Sequence, residues 1–189
     1  MVDGGLEVEA FVLAGIAALV LIGAAVWYRG RSAPFDELEA TLESRLEEAL
    51  PAGRGTHLER PPRVRRIDVL DRDERGERST AVAPVVRIDL ETADTPGSEL
   101  VFDYVAAVLE ALHPELEDRE ASVARYDLEF AVGPDGLLVE GERRRVTVPP
   151  AFADRLLEEE TYRAFDLRRD LERDDEANGT ATVWGEPRR

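Results

Sequence analysis

The chain contains no cysteine and no lysine, and its only histidines are His57 and His113. Without cysteine, disulfide bridges, thiolate zinc sites, iron–sulfur clusters and cysteine nucleophiles are excluded. Two histidines argue against a multi-histidine catalytic or zinc centre, and we interpret both as structural. His57 lies in a Gly/Pro-rich loop. His113 is predicted to end a helix just before Pro114, where a cation suits the helix dipole.

Recognisable catalytic motifs are also missing from the sequence. It has no Walker A loop, no glycine-rich dinucleotide turn, no G-x-S-x-G elbow and no H-E-x-x-H helix. We therefore predict no catalytic residue, no cofactor and no metal. An enzyme, or an anion- or nucleotide-binding domain that uses arginines and carboxylates without a known motif, remains the alternative.

The charge balance is strongly acidic. Aspartate and glutamate number 41 against 24 basic residues, all of them arginine, which gives a net charge of −17. Self-repulsion of this size destabilises a compact state in ordinary salt, and concentrated salt screens it. The composition predicts a salt-adapted, haloarchaeal source. It also argues against nucleic-acid binding, which needs a basic surface.

One long apolar run stands out from this polar background. Residues 10–28 read AFVLAGIAALVLIGAAVWY, which is 19 residues without a charge. A helix of that length covers close to the roughly 30 Å of a bilayer core. A cleaved signal peptide is the alternative, but residues 1–9 are acidic and carry no basic residue, whereas a signal peptide begins with a positive region. The sequence predicts one retained transmembrane helix in contact with the lipid bilayer.

Arginine placement predicts the orientation of this helix. Arg29 and Arg31 follow the run directly, and basic residues are retained on the cytoplasmic side. We expect a single-pass protein of the cell membrane with residues 1–9 outside and the C-terminal domain in the cytoplasm. An exported domain is the alternative, and only then would the sequon at Asn178 be a glycosylation site.

The rest of the chain divides into three segments. Residues 29–62 are predicted to form a juxtamembrane amphipathic helix, with a leucine stripe ending near Leu50, and a turn-rich linker. The helix could dock on the folded domain or pair with a second copy. Residues 63–173 are predicted to form one soluble domain, and residues 174–189 a disordered tail.

Alternating apolar residues predict an α+β fold for the soluble domain. Strands are expected at 64–70, 82–91, 125–132 and 137–148, with a charged connection at 71–80 and a turn at 133–136. Helices are expected at 98–112 and 152–173. This ββαββα order predicts a two-layer domain in which an antiparallel sheet of about four strands carries its helices on one face.

The helix predicted at 98–112 is apolar around most of its circumference. Such a helix is normally buried on more than one side. Its residues Val101, Tyr104, Val105 and Val108 are a candidate interface for a protein partner or a second copy. The alternative, which we favour, is that the sheet and the other helices cover them.

Two arginine clusters are the other candidate site. Arginine suits bidentate capture of phosphate or carboxylate, so the clusters could contact an anion or anionic lipid. Cross-strand ion pairs with the abundant carboxylates explain them more simply. The candidate anion contacts are Arg63, Arg65, Arg66, Arg143, Arg144 and Arg145.

The function expected from these features is a membrane-anchored cytoplasmic interaction or scaffold module that binds a protein partner or itself. The predicted membrane anchor, the apolar helix and the missing catalytic motifs support this interpretation.

Overall fold

The computed structural model describes residues 35–53, 57–74, 77–91, 96–119, 122–132 and 142–186. The chain divides into two compact units, Met1–Leu38 and Glu39–Arg189. The predicted membrane span and the predicted turn at 133–136 lie outside the described residues. Across the described ranges, no helix combines the length and the apolar character needed to cross a membrane.

The described elements alternate between strands and helices. Helix α1 covers residues 35–49 of the described chain. It is followed by β1 (Arg63–Glu74), β2 (Glu77–Leu90), α2 (Ser98–Asp118), β3 (Tyr126–Val132), β4 (Glu142–Val148), α3 (Pro150–Glu158), α4 (Ala164–Ala177) and β5 (Thr182–Gly185).

The five strands form one mixed sheet in the order β1-β2-β3-β4-β5, which confirms the α+β class. The prediction of a wholly antiparallel sheet of about four strands was wrong, because β2 and β3 pair in parallel. Their connection explains this. Helix α2 has 21 residues and is about 31 Å long, enough to return the chain past the end of β2 so that β3 can run beside Val85–Leu90 in the same direction. Parallel neighbours require such a crossover.

Helix α2 continues beyond the predicted end. Pro114 lies inside it, so the prediction that His113 ends the helix was wrong. Proline removes one helical hydrogen bond, yet Leu116 on the far side is completely buried. Burial of that side chain stabilises the last turn against the loss.

The hairpin of β1 and β2 is longer than predicted. Its register runs without interruption from Ile67 opposite Pro84 to Glu74 opposite Glu77, so most of the charged connection predicted at 71–80 is strand. Residues 71–80 are mostly polar and lack the apolar–polar alternation by which a strand is recognised in a sequence. The backbone hydrogen bonds between the two strands do not require that alternation.

The C-terminal segment also differs from its prediction. The single helix expected at 152–173 is two helices, α3 and α4, and the tail expected to be disordered contains the end of α4 and strand β5. Gly179 has φ +65°, a conformation that glycine adopts at little cost. Asp174 accepts hydrogen bonds from Thr180 and from the Ala181 backbone N–H. This turn directs the chain back to pair with β4.

The helices and the apolar side of the sheet enclose the core. Leu42, Leu46 and Leu50 are buried, and Arg45 Nε donates a 2.7 Å hydrogen bond to Glu115 on α2. The part of the predicted leucine stripe from Leu42 to Leu50 therefore docks on the folded domain. Helix α2 also contacts α3 and α4.

Candidate functional site

The neighbouring strands β2 and β3 are apolar on one side of the sheet and mostly polar on the other. In the parallel register Val86 lies beside Leu128 and Ile88 beside Phe130, and these four side chains are buried in the core. The intervening residues project from the other side because side chains alternate along a strand. They are Val85, Arg87, Asp89, Asp127, Glu129 and Ala131.

Glu129 is the centre of the ion pairs on this polar side. Its carboxylate is 5% exposed. Arg65 Nη1 on β1 donates a 2.6 Å hydrogen bond to Oε2, and Arg66 Nη1 lies 3.9 Å from Oε1. Oε1 accepts no hydrogen bond within the described part of the chain. The buried carboxylate is therefore compensated by arginines from a strand two places away in the sheet.

Asp89 and Asp127 are paired in the same way. Arg87 Nε donates to Asp89 at 2.6 Å, and Arg60 Nε lies 3.2 Å from its other oxygen. Arg125 Nε donates to Asp127 at 2.8 Å. Both aspartates are buried. Buried charges need such partners, because an unpaired carboxylate out of water is strongly unfavourable.

Most of the arginines predicted to contact an anion meet on this side. Arg63 lies 4.0 Å from Asp89, and Arg145 lies 3.8 Å from Asp127. Arg143 pairs with Ala131 in the register and so shares the side. We define the arginine face as the polar side of the sheet formed by Arg63, Arg65, Arg66, Arg87, Arg143 and Arg145 with the carboxylates Asp89, Asp127 and Glu129.

Arg144 does not belong to the arginine face. It pairs with Phe130 in the register, which places it on the opposite side of the sheet, and its guanidinium contacts Glu142 at 2.6 Å. The sequence cluster of three consecutive arginines is therefore divided between the two sides. The cross-strand ion pairs that the sequence analysis favoured are present at the other predicted positions except Arg143, for which only the register is described.

Arg87 and Arg125 also belong to this network, although neither is among the candidate residues predicted from the sequence. Both precede a carboxylate by two residues, which puts each pair on one side of its strand. The alternation that identified the apolar side contained this signal. The same alternation places Asp89, Asp127 and Glu129 on the side opposite the core, where arginine side chains bury them.

The predicted partner interface on α2 is not a surface. Val101, Tyr104, Val105 and Val108 are all buried, with exposed fractions between 0% and 7%. The favoured alternative, burial within the fold, is the observed arrangement. Large apolar side chains that the described structure exposes lie elsewhere, at Leu157 and at Phe165, which is 63% exposed.

Phe165 borders a cleft of about 460 Å³ between the N-terminal ends of α2 and α4. The guanidinium of Arg168 lies over its ring at 5.6 Å and donates a 2.6 Å hydrogen bond to Ser98. Glu99 and Asp103 also line the cleft. The Arg168 guanidinium in this cleft therefore already has a hydrogen-bond partner and an aromatic contact within the protein.

A second polar cluster lies on the helix side of the sheet. His113 is 4% exposed at its side chain. Its Nδ1 lies 2.5 Å from the Tyr126 hydroxyl, and its Nε2 lies 2.7 Å from Asp154 Oδ1 on α3. Glu117, one turn further along α2, approaches Nε2 to 3.7 Å. His113 thereby links α2 to the sheet and to α3.

Burial controls the chemistry of this cluster. Tyr126 is completely buried, and desolvation together with the charges of Asp154 and Glu117 raises the pKa of its hydroxyl well above the ordinary value. The tyrosine is therefore a neutral hydrogen-bonding group inside the core. The accessible end of the cluster is the carboxylate end, because the side chains of Glu117 and Asp154 are 61% and 44% exposed.

Comparison with known proteins identifies no relative: no protein-family model, no curated protein and no solved structure matches this chain.

Proposed function

We propose that the chain is a membrane-anchored cytoplasmic interaction module of a salt-adapted, haloarchaeal organism, and that its arginine face binds an acidic surface of a different protein. The observation that carries the proposal is that arginine side chains of the arginine face are exposed, whereas the carboxylates with which they pair are buried. The side chains of Arg63 and Arg65 are 47% and 46% exposed, whereas those of Asp89 and Glu129 beneath them are 8% and 5% exposed. Solvent and partners meet the positive groups.

The charge of the whole chain makes this surface distinctive. A net charge of −17 repels an acidic partner from most of the protein, so the arginine face is the favoured place of contact. Concentrated salt shortens the Debye length to about 3 Å at 1 M, which removes long-range steering. Direct arginine–carboxylate contacts persist because they are short, charge-assisted and frequently bidentate.

A different protein is a better occupant than a second copy. In a two-fold symmetric dimer the same patch meets itself, which would place arginine against arginine. An acidic surface on another protein supplies the opposite charge. The predicted membrane helix at 10–28 would hold the module at the bilayer and raise its effective concentration near membrane-bound partners.

A capture experiment with matched charge reversals tests the proposal. The tagged full-length chain is cross-linked in membranes at high KCl and its partners are identified by mass spectrometry. The variant Arg63→Glu/Arg143→Glu reverses two exposed positions of the arginine face. Arg119→Glu/Arg173→Glu, which changes the residue directly after α2 and one on α4, is the control with the same change in net charge.

We expect the face variant to lose a partner that the wild type and the control retain, with all three still folded at the temperature of the capture. Equal capture by the two double variants would contradict the proposal. A phosphate-dependent thermal shift abolished by the face variant, without any captured protein, would favour the alternative of a small-anion site.

Topology requires its own measurement. A C-terminal tag on intact cells should resist external protease, and Asn178 should carry no glycan. A tag that is cleaved from outside would favour the exported alternative.

A further inference from the structure

We propose that His113, Glu117 and Asp154 form a binding site for one divalent transition-metal ion. The three candidate ligand atoms, one imidazole nitrogen and two carboxylate oxygens, all lie within 4.8 Å of one another. An imidazole ligand favours zinc and its first-row neighbours over magnesium and calcium, which prefer oxygen. Zn²⁺ is the appropriate probe.

The distances fit a small ion after modest movement. Zinc binds imidazole nitrogen and carboxylate oxygen at about 2.0–2.2 Å, so two ligand atoms on one tetrahedral ion stand roughly 3.3 Å apart. The separations from His113 Nε2 are 2.7 Å to Asp154 and 3.7 Å to Glu117. One separation is shorter and the other longer than the roughly 3.3 Å that a tetrahedral zinc ion requires. The side chains of Asp154 and Glu117 are exposed enough to move by that difference. Water would complete the coordination.

The inner end of the imidazole is already held as a metal ligand requires. Histidine ligands usually use their second ring nitrogen in a hydrogen bond that fixes the ring and its tautomer. Here Nδ1 meets the buried Tyr126 hydroxyl at 2.5 Å, which leaves Nε2 directed at the two carboxylates. With an ion bound, Nδ1 carries the proton and donates to Tyr126. Without one, Nε2 can carry it and donate to Asp154.

Glu117 adds a second carboxylate that the hydrogen bonding of His113 does not require. One carboxylate, Asp154, suffices to accept a hydrogen bond from a neutral His113. The second carboxylate brings another negative charge to the same nitrogen, and like charges close together are unfavourable. A cation between them reverses that interaction. The site lies on the helix side of the sheet, and its existence does not depend on the arginine face.

Zinc binding to the full-length, chelator-treated chain tests the site. Asp154→Asn and Glu117→Gln keep an oxygen for hydrogen bonding and remove the ligand charge. Asp118→Asn is the matched control, because it is an exposed acid next to Glu117 on the same helix. Calorimetry with Zn²⁺ in excess Mg²⁺ measures affinity and stoichiometry. Histidine-selective ¹⁵N NMR reports the protonation of Nε2, and His57 and His113 are the only histidines.

We expect one zinc ion per chain, with Nε2 of His113 changing from protonated to metal-bound. Each ligand variant should weaken binding tenfold or more, and the control should match the wild type. Tyr126→Phe, which removes the positioning hydroxyl, should weaken binding about 10–100-fold. Absence of zinc binding with Nε2 still protonated, or equal binding by the ligand variants and the control, would overturn the proposal and leave a hydrogen-bonded anchor.

Discussion

Thr147 Oγ1 donates a 2.5 Å hydrogen bond to the carboxylate of Asp127, its direct partner across the β3–β4 pair. Both side chains are buried, at 0% and 2% exposed. The pair lies among the buried carboxylates of the arginine face. The Thr147 hydroxyl therefore replaces a hydrogen bond that the Asp127 carboxylate would otherwise receive from water.

Replacing Thr147 by valine should destabilise the domain. The change keeps the shape of the side chain and removes the donor, and a buried group left without its partner costs about 1–3 kcal/mol, more when it is charged. Thr147→Ser retains the hydroxyl and serves as the control. Chemical denaturation of the full-length protein in high salt measures the free energy of unfolding. If serine and valine were equally destabilising, the methyl group and not the hydrogen bond would be responsible.

The sequence predicted the apolar half of the sheet better than the polar half. Alternation from Tyr126 to Val132 correctly identified the core side of β3, because that pattern is local. Glu129 pairs with Arg65 and Arg66 from β1, and no local pattern contains that pairing. Asp127 pairs with Arg145 from β4 and also with Arg125 two residues away, which is the only one of these partners that a local pattern places beside it.

Other misses have equally specific causes. Strand β5 is four residues long, too short for its alternation to be distinguished from a tail. The prediction that the helix ends at His113 relied on proline as a helix breaker, whereas burial of Leu116 stabilises the helix beyond Pro114. The cluster at His113 and Asp154 joins residues 41 positions apart, a proximity that only tertiary structure creates.

Tyr126→Phe should destabilise the fold even without any metal. It removes the hydroxyl that meets Nδ1 of His113 in a buried position, and the orphaned nitrogen should cost about 1–3 kcal/mol. Denaturation in the presence of chelator measures this effect apart from zinc binding. A double variant with His113→Leu should be less destabilised than the sum of the two single changes, because the partners are removed together. Strict additivity would contradict a direct interaction.

Leu116→Ala should reveal how firmly the last turn of α2 belongs to the core. Leu116 is completely buried, and truncating such a leucine to alanine lowers the free energy of unfolding by about 2–5 kcal/mol. Leu157→Ala, at a position 37% exposed, is the control and should lose much less. If Leu116 contributed no more to the core than the partly exposed Leu157, the two variants would behave alike in thermal or chemical unfolding.

The end of α4 should contribute to acid sensitivity. Hydrogen bonds from Asn178 and Thr180 hold the pKa of the Asp174 carboxyl below its ordinary value. Since the folded-state pKa is the lower one, ionised Asp174 stabilises the fold above about pH 4, the unfolded value, and that contribution is lost as pH falls through the folded-state pKa.

Asp174→Asn tests this directly. Its deficit in free energy of unfolding relative to the wild type should be largest near neutral pH and should shrink below about pH 4. Denaturation at a series of pH values measures the difference. A deficit that stays constant through the acid range would show that the charge of Asp174 is not what stabilises the turn.

Added KCl should stabilise the protein, because salt screens the repulsion between exposed carboxylates more than it weakens the attraction within buried ion pairs. Repulsion among exposed carboxylates of a chain with net charge −17 is screened as the Debye length falls from about 10 Å at 0.1 M to about 3 Å at 1 M. The ion pairs of the arginine face include buried carboxylates, and buried pairs are screened much less. The thermal midpoint of the full-length chain should therefore rise with KCl. Asp175→Asn/Glu176→Gln, at exposed positions on α4, should raise the midpoint at low salt and reduce the slope. A midpoint that falls with salt would mean that attractive pairs dominate, and would remove the physical basis for salt adaptation.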